Sequence, residues 1–152
     1  MANTNFREVL YTSEFSQLVL MSIPPGGEIG AETHPSNDQF FRVEGGEGKC
    51  FIDGTEYELQ DGDAVIVPRG ARHNVINTSE TAALKLYTIY SPPHHKDGIV
   101  RKTKEEAEAN ESEFDGKTTE LLPGEVDYVR TETTRNEVSF SSTVDSENIK
   151  CG

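Results

Sequence analysis

The sequence has no tryptophan, two methionines, two cysteines, and only 14 basic residues against 27 acidic ones. Each scarcity excludes something. Cys50 lies in an apolar stretch and Cys151 is next to last, so no disulfide framework can form, and two free thiols in a reducing compartment are expected. A formal net charge of -13 repels phosphate backbones and anionic headgroups, because binding either depends on clustered Lys and Arg. Nucleic acid and membrane are therefore not expected as partners. Nowhere do about 18 apolar residues follow one another, the length that a membrane-spanning helix requires. The segment Met1 to Arg7 lacks a basic stretch followed by an apolar run, so no signal peptide is expected and a cytoplasmic location is. With 34% hydrophobic residues in 152, the chain suffices for one domain with a modest core.

From residue 6 to residue 90, short runs rich in Val, Ile, Leu, Phe and Tyr alternate with Gly, Pro, Asn and Asp, without a 3.6-residue apolar period. The pattern predicts an all-β fold. Strands are expected at Val9–Thr12, Leu18–Ile23, Glu28–His34, Gln39–Glu44, Gly48–Ile52, Thr55–Leu59, Ala64–Val67, His73–Asn77 and Ala83–Tyr90. Asp53-Gly54 has the chemistry of a two-residue hairpin turn, since both positions need positive φ. Short strands with a turn about every 8 to 12 residues fit a barrel, taken as residues 1–98. The two prolines of Ser91-Pro92-Pro93-His94-His95 end the last strand, because neither can donate to a ladder. A short helix is expected within 99–111, with Thr103 as N-cap and Glu106 completing a capping box. Residues 112–152 form an acidic polar tail with little apolar surface to offset ordering entropy, so disorder is the default. The alternating Val138, Phe140, Ser142 and Val144 support the competing expectation of an edge strand docked on a partner subunit.

Two blocks stand out against this background. The first holds Gly26, Glu32, His34, Gln39 and Gly46; the second holds Gly62, Pro68, Gly70, His73 and Asn77. Their spacing resembles the paired motifs of the cupin superfamily, G-x5-H-x-H-x3-4-E-x6-G and G-x5-P-x-G-x2-H-x3-N. All positions of the second motif match; in the first, Glu32 replaces a His and Gln39 replaces the Glu. The resemblance covers roughly residues 15–95 and implies a double-stranded β-helix, or jelly-roll barrel, followed here by the helix and tail. It also implies a metal site at Glu32, His34, Gln39 and His73.

The residues themselves agree with that placement. Side chains at i and i+2 of a strand share a face, so Glu32 and His34 point the same way, and Gln39, Phe41 and Val43 can share the next strand's inner face. Asp38 is an alternative to Gln39 as ligand, given the variable motif spacing. Two imidazoles, a carboxylate and an amide oxygen make a borderline N/O set for one divalent ion, whether Zn, Fe(II), Mn(II), Co or Ni. Taken singly, each residue also has a structural explanation: Glu32 as a solvated strand residue, Gln39 as a bridge between backbone groups, His73 as a satisfied interior histidine.

His94 and His95 follow the last strand, where a segment could cover the barrel mouth, and one of them is a candidate proton shuttle; exposed loop histidines are the plainer alternative. Tyr87 and Tyr90 are candidate inward phenols, with the strand's parity left open and core packing as the alternative. The resemblance, together with these residues, implies a metal-dependent isomerase or epimerase acting on a small sugar or hydroxy-carbonyl compound. Gln39 in place of the family's Glu resembles variants found among sugar-acting cupins. A non-haem metal dioxygenase built on Glu32, His34 and His73 is the second enzymatic possibility, and a small-molecule binding or sensing module the non-enzymatic one. Open sheet edges that a partner can cover, and the resemblance itself, lead us to expect a homodimer.

Overall fold

The computed structural model describes residues 2–120, which fall within one compact unit, Met1–Leu121. Ten strands and one helix follow in chain order: β1 (Arg7–Thr12), β2 (Gln17–Ile23), β3 (Glu32–Thr33), β4 (Asp38–Gly45), β5 (Glu47–Ile52), β6 (Thr55–Gln60), β7 (Ala64–Val67), β8 (Arg72–Asn77), β9 (Leu84–Ser91), β10 (Val100–Arg101) and α1 (Lys104–Ala109). Two antiparallel sheets result, in the orders β10-β1-β2-β9-β4-β7 and β3-β8-β5-β6. This is a double-stranded β-helix, the all-β jelly-roll barrel that strand spacing and motif pattern predict.

Alternation along each strand decides what fills the space between the sheets. On β9, Leu84, Leu86, Thr88 and Tyr90 are buried while their neighbours are partly exposed. On β2 the inward set is Gln17, Val19, Met21 and Ile23; on β4 it is Gln39, Phe41 and Val43. The smaller sheet contributes Cys50, Leu59 and Val75. Polar members of these inward sets gather toward one end, and that end is the candidate site. Among the described residues no helix is long and apolar enough to cross a membrane.

Turns carry the motif glycines. Asp53 and Gly54 have φ of 48° and 84°, the two successive positive values that a tight hairpin between β5 and β6 requires. Gly46 has φ of 95°, and a Cβ there would lie 2.9 Å from the Ala83 carbonyl oxygen. At Gly48 a Cβ would approach the Ile76 carbonyl to 2.4 Å, so only glycine lets β5 and β8 pair this closely. The motif's Asn77 is a structural bracket: its Nδ2 donates to the carbonyls of Ile23, Pro24 and Ala82 at 3.0, 3.0 and 2.8 Å.

Four features differ from expectation. The strand foreseen over Glu28–His34 is reduced to Glu32–Thr33 and an isolated bridge at Glu28, because Gly30 takes φ of 97° and its N–H turns to the Asn74 side chain at 3.1 Å. Val100–Arg101 extend the larger sheet as β10, antiparallel to the start of β1, ahead of the helix. The stretch 112–119 is tied to the barrel through Lys96 N–H to Ser112 C=O, Phe114 N–H to His94 C=O and Thr119 N–H to Thr12 C=O, each 2.9 Å. Val138, Phe140, Ser142, Val144 and Cys151 lie outside the described residues. In α1, Thr103 caps as foreseen, accepting from the Glu106 N–H at 3.2 Å, but the Glu106 carboxylate reaches one residue further, to the Lys102 N–H at 2.7 Å.

Candidate metal centre

Glu32, His34 and His73 converge because β3 and β8 pair with Glu32 opposite His73, while His34 follows two residues after Glu32 on the same face. Glu32 Oε1 lies 3.1 Å from His34 Nε2 and 3.4 Å from His73 Nε2. All three potential ligand atoms fall within 4.8 Å of one another, which makes the trio able to hold a metal ion. Both imidazoles are buried and Glu32 is partly exposed toward a cleft. Burial alone would push the Glu32 carboxyl up, but contacts from His34 and His73 outweigh it and hold the group well below the usual carboxylate range.

Hydrogen bonding fixes what these nitrogens present. His73 Nδ1 lies 3.1 Å from the Ala71 carbonyl, which can only accept, so Nδ1 carries the proton and Nε2 offers its lone pair. That nitrogen faces the Glu32 carboxylate at 3.4 Å and, though buried, has no partner at hydrogen-bonding geometry. A backbone-oriented imidazole is the usual support for a metal-bound histidine, and it leaves Nε2 as the atom that a metal would take. Gln39 adds to the fit: it is 1% exposed, neither its Oε1 nor its Nε2 has a partner, and in the ladder it stands opposite Tyr90, whose ring centroid is 5.5 Å from His34. An amide left unpaired in the interior is costly unless something binds it. The donor set therefore fits a divalent ion with borderline N/O preference.

The other expected residues separate. Tyr90 faces inward and packs against His34, His94 and His95; burial, reinforced by the Glu32 carboxylate, raises its phenol far above the ordinary value, so it stays protonated. Tyr87 is corrected to the outer face of the same strand, where its ring lies 6.1 Å from Phe40, since neighbouring residues of a strand point to opposite sides. Asp38 also lies outside, accepting from the Arg69 N–H at 2.9 Å, and so drops out as a ligand. His94 is half-buried with its ring centroid 4.3 Å from His34; burial, then the neighbouring His34, lowers its basicity to about 4. His95 is buried behind it and lowered to about 2, first by burial and then by Arg7.

Two residues escaped the sequence reading. Gln17, fully buried on β2, grips the His94–His95 segment: its Oε1 accepts from the N–H of His95 at 2.9 Å and of His94 at 3.3 Å, and its Nε2 donates to the His95 carbonyl at 2.6 Å and to Thr12 Oγ1 at 2.9 Å. Arg7, on β1, is buried and lines the cleft of about 260 Å³ onto which Glu32, His34, His94 and His95 open. The outer wall of that cleft comes from Glu111, Ser112 and Glu113. Gln17 stands one position and Arg7 two positions ahead of the apolar run of its strand, and nothing else in the sequence marks either.

Comparison with known proteins supplies the remaining observation. Residues 19–90 match the family model described as a cupin domain. The uncharacterized protein YrkC of Bacillus subtilis (strain 168) is 44% identical over 115 residues, covering 72% of this chain and 61% of its own. The uncharacterized protein L612 of Acanthamoeba polyphaga mimivirus is 43% identical over 101 residues, covering 64% and 63%. The matches thus span less than two thirds of these curated relatives. The crystal structure of BH2720 from Bacillus halodurans is 43% identical, covers 72% of this chain and 86% of its own, and superimposes with a TM-score of 0.70.

Proposed function

This chain belongs to the cupin superfamily, and from that premise we propose that it is a metal-dependent enzyme of the isomerase or epimerase type, working as a homodimer on a small sugar or hydroxy-carbonyl compound. Glu32, His34, His73 and Gln39 would hold the ion. Once bound, a divalent ion would supply Lewis-acid polarisation of a carbonyl oxygen. The observation that carries the proposal is His94, a neutral imidazole at the cleft with its ring 4.3 Å from a ligand histidine. Such a group can take the proton from the carbon beside a carbonyl and return it to a neighbouring carbon, so that substrate and product are isomers. Tyr90, kept protonated by burial and stacked on His94 at 5.3 Å, steadies that ring. His95, buried and held by its backbone to Gln17, fixes the segment that carries His94.

A second reading draws on the same trio, since two imidazoles and one carboxylate are also the donor set of non-haem Fe(II) oxygenases. Elemental analysis of wild type beside His73→Ala, combined with solvent-deuterium incorporation into a panel of hydroxy-carbonyl compounds, separates the possibilities. We expect bound metal in wild type, its loss in the variant, and deuterium at the carbon beside the carbonyl. Oxygen uptake by the Fe(II)-loaded protein without deuterium incorporation would move the assignment to the oxygenase. A wild type that binds no metal under any loading condition would remove both.

A further inference from the structure

We propose that Arg7 is the anion-binding residue of the cleft and that the ligand is a small monocarboxylate bearing a 2-oxo or 2-hydroxy group. Arg7 is 8% exposed, yet among the described residues its guanidinium makes neither an ion pair nor a hydrogen bond, and its buried Nε lacks a partner. A guanidinium cannot shed its charge to escape this cost, so a buried, unpaired one calls for an anion. Its position says where the anion sits: β1 points Arg7 inward, in register with the core residue Met21, at the cleft that also exposes Glu32 and His34. Its planar fork suits a carboxylate bound through two parallel hydrogen bonds.

The lining narrows the ligand. Glu32, Glu111 and Glu113 face the same cleft, so a single arginine stands among three carboxylates. That balance favours a monoanion over a phosphate dianion, which would meet the same carboxylates with twice the charge. About 260 Å³, room for about nine waters, admits a small carboxylic acid together with water. A carboxylate on Arg7 would leave its adjacent oxo or hydroxyl oxygen in the cleft that Glu32 and His34 also line. The inference deepens the metal-enzyme proposal and rests on it for the role of that second oxygen.

The test is calorimetric titration of wild type, metal-loaded and chelator-treated, with pyruvate, glycolate, the neutral analogue hydroxyacetone and inorganic phosphate. We expect pyruvate and glycolate to bind more than tenfold tighter than hydroxyacetone or phosphate. Arg7→Gln should weaken both carboxylates more than tenfold at unchanged metal content, and Arg7→Lys should recover part of the loss. In ¹⁵N-labelled wild type, the assigned Arg7 Nε–Hε resonance should shift on titration with pyruvate, a readout that does not depend on a variant folding. Equal affinity for hydroxyacetone, tighter binding of phosphate, an unmoved Arg7 resonance or unaltered carboxylate affinity in Arg7→Gln would each overturn the assignment. Pyruvate binding by a protein that takes up no metal would sink the metal proposal and leave Arg7 standing; metal uptake without carboxylate binding would do the reverse.

Discussion

His73 uses its two ring nitrogens differently: Nδ1 is tied to the Ala71 carbonyl at 3.1 Å, and Nε2 is left free toward Glu32. This division explains why the motif fixes a glycine and a proline just upstream, since Gly70, with φ of 82°, sits in the turn that aims the Ala71 carbonyl at the ring. Cys50 shows the opposite condition, a group with burial and no task. It is 0% exposed, and burial pushes its thiol up to about 11. Below about pH 9 native and unfolded chains both keep the proton, so pH has no effect through this group. Between about pH 9 and about 11 the unfolded chain releases a proton that the native state retains, so stability falls as pH rises, by about 1 to 3 kcal/mol over the window. In a Cys151→Ser background, denaturant melts at pH 8 and pH 10 should show this loss, and Cys50→Ala should reduce it; above pH 10 the buried Tyr90 phenol adds a loss of the same sign. The native thiol should also resist a disulfide reagent at pH 8, because the reactive species is the thiolate. Rapid labelling of the folded protein at pH 8 would contradict the burial argument.

At the level of elements, the candidate site is a strap held over a barrel end. The segment after β9 is fastened by Gln17 from β2 through three hydrogen bonds, and by Asn37, whose Nδ2 donates to the carbonyls of Pro92 and Pro93. Gln17→Ala would leave buried partners unsatisfied at about 1 to 3 kcal/mol for each group stranded. The expected outcome is a local loosening, with faster amide exchange at His94 and His95 and little change at Val19 or Leu86. Uniform acceleration across all strands would show that Gln17 serves global packing alone.

The same elements explain what could be foreseen. Strands β4 through β8 were legible because turn residues bracket alternating apolar ones, and Glu32, His34 and His73 because motif spacing brings them to one end. Arg7 and Gln17 were not, because each begins its strand just before the apolar run, where the sequence gives no sign that the ladder has started. Tyr87 and Tyr90 could not be told apart because β9 carries large side chains on both faces. Only the pairing with β4 and β2 settles which face looks inward.

That outer face bears on the whole molecule. Register places Tyr11, Leu18, Ile89, Phe40 and Ile66 in one row across β1, β2, β9, β4 and β7. Five strands at about 4.8 Å spacing make an apolar stripe about 19 Å long. Tyr11 is 41% exposed and Ile66 68%, so the stripe is open to solvent in the single chain. Contiguous apolar surface of this kind marks an association site, and a second copy meeting it face to face would cover both stripes about a twofold axis. A net charge of -13 on each chain opposes the pairing, so apolar contact has to drive it, and added salt should strengthen it by screening the repulsion. Light scattering coupled to size exclusion should therefore give twice the 16.8 kDa chain mass. Phe40→Glu and Ile66→Glu should each return the single-chain mass while leaving metal content unchanged, since neither side chain faces the site. A wild type that stays monomeric at high salt, or a dimer indifferent to both substitutions, would place any association on another surface.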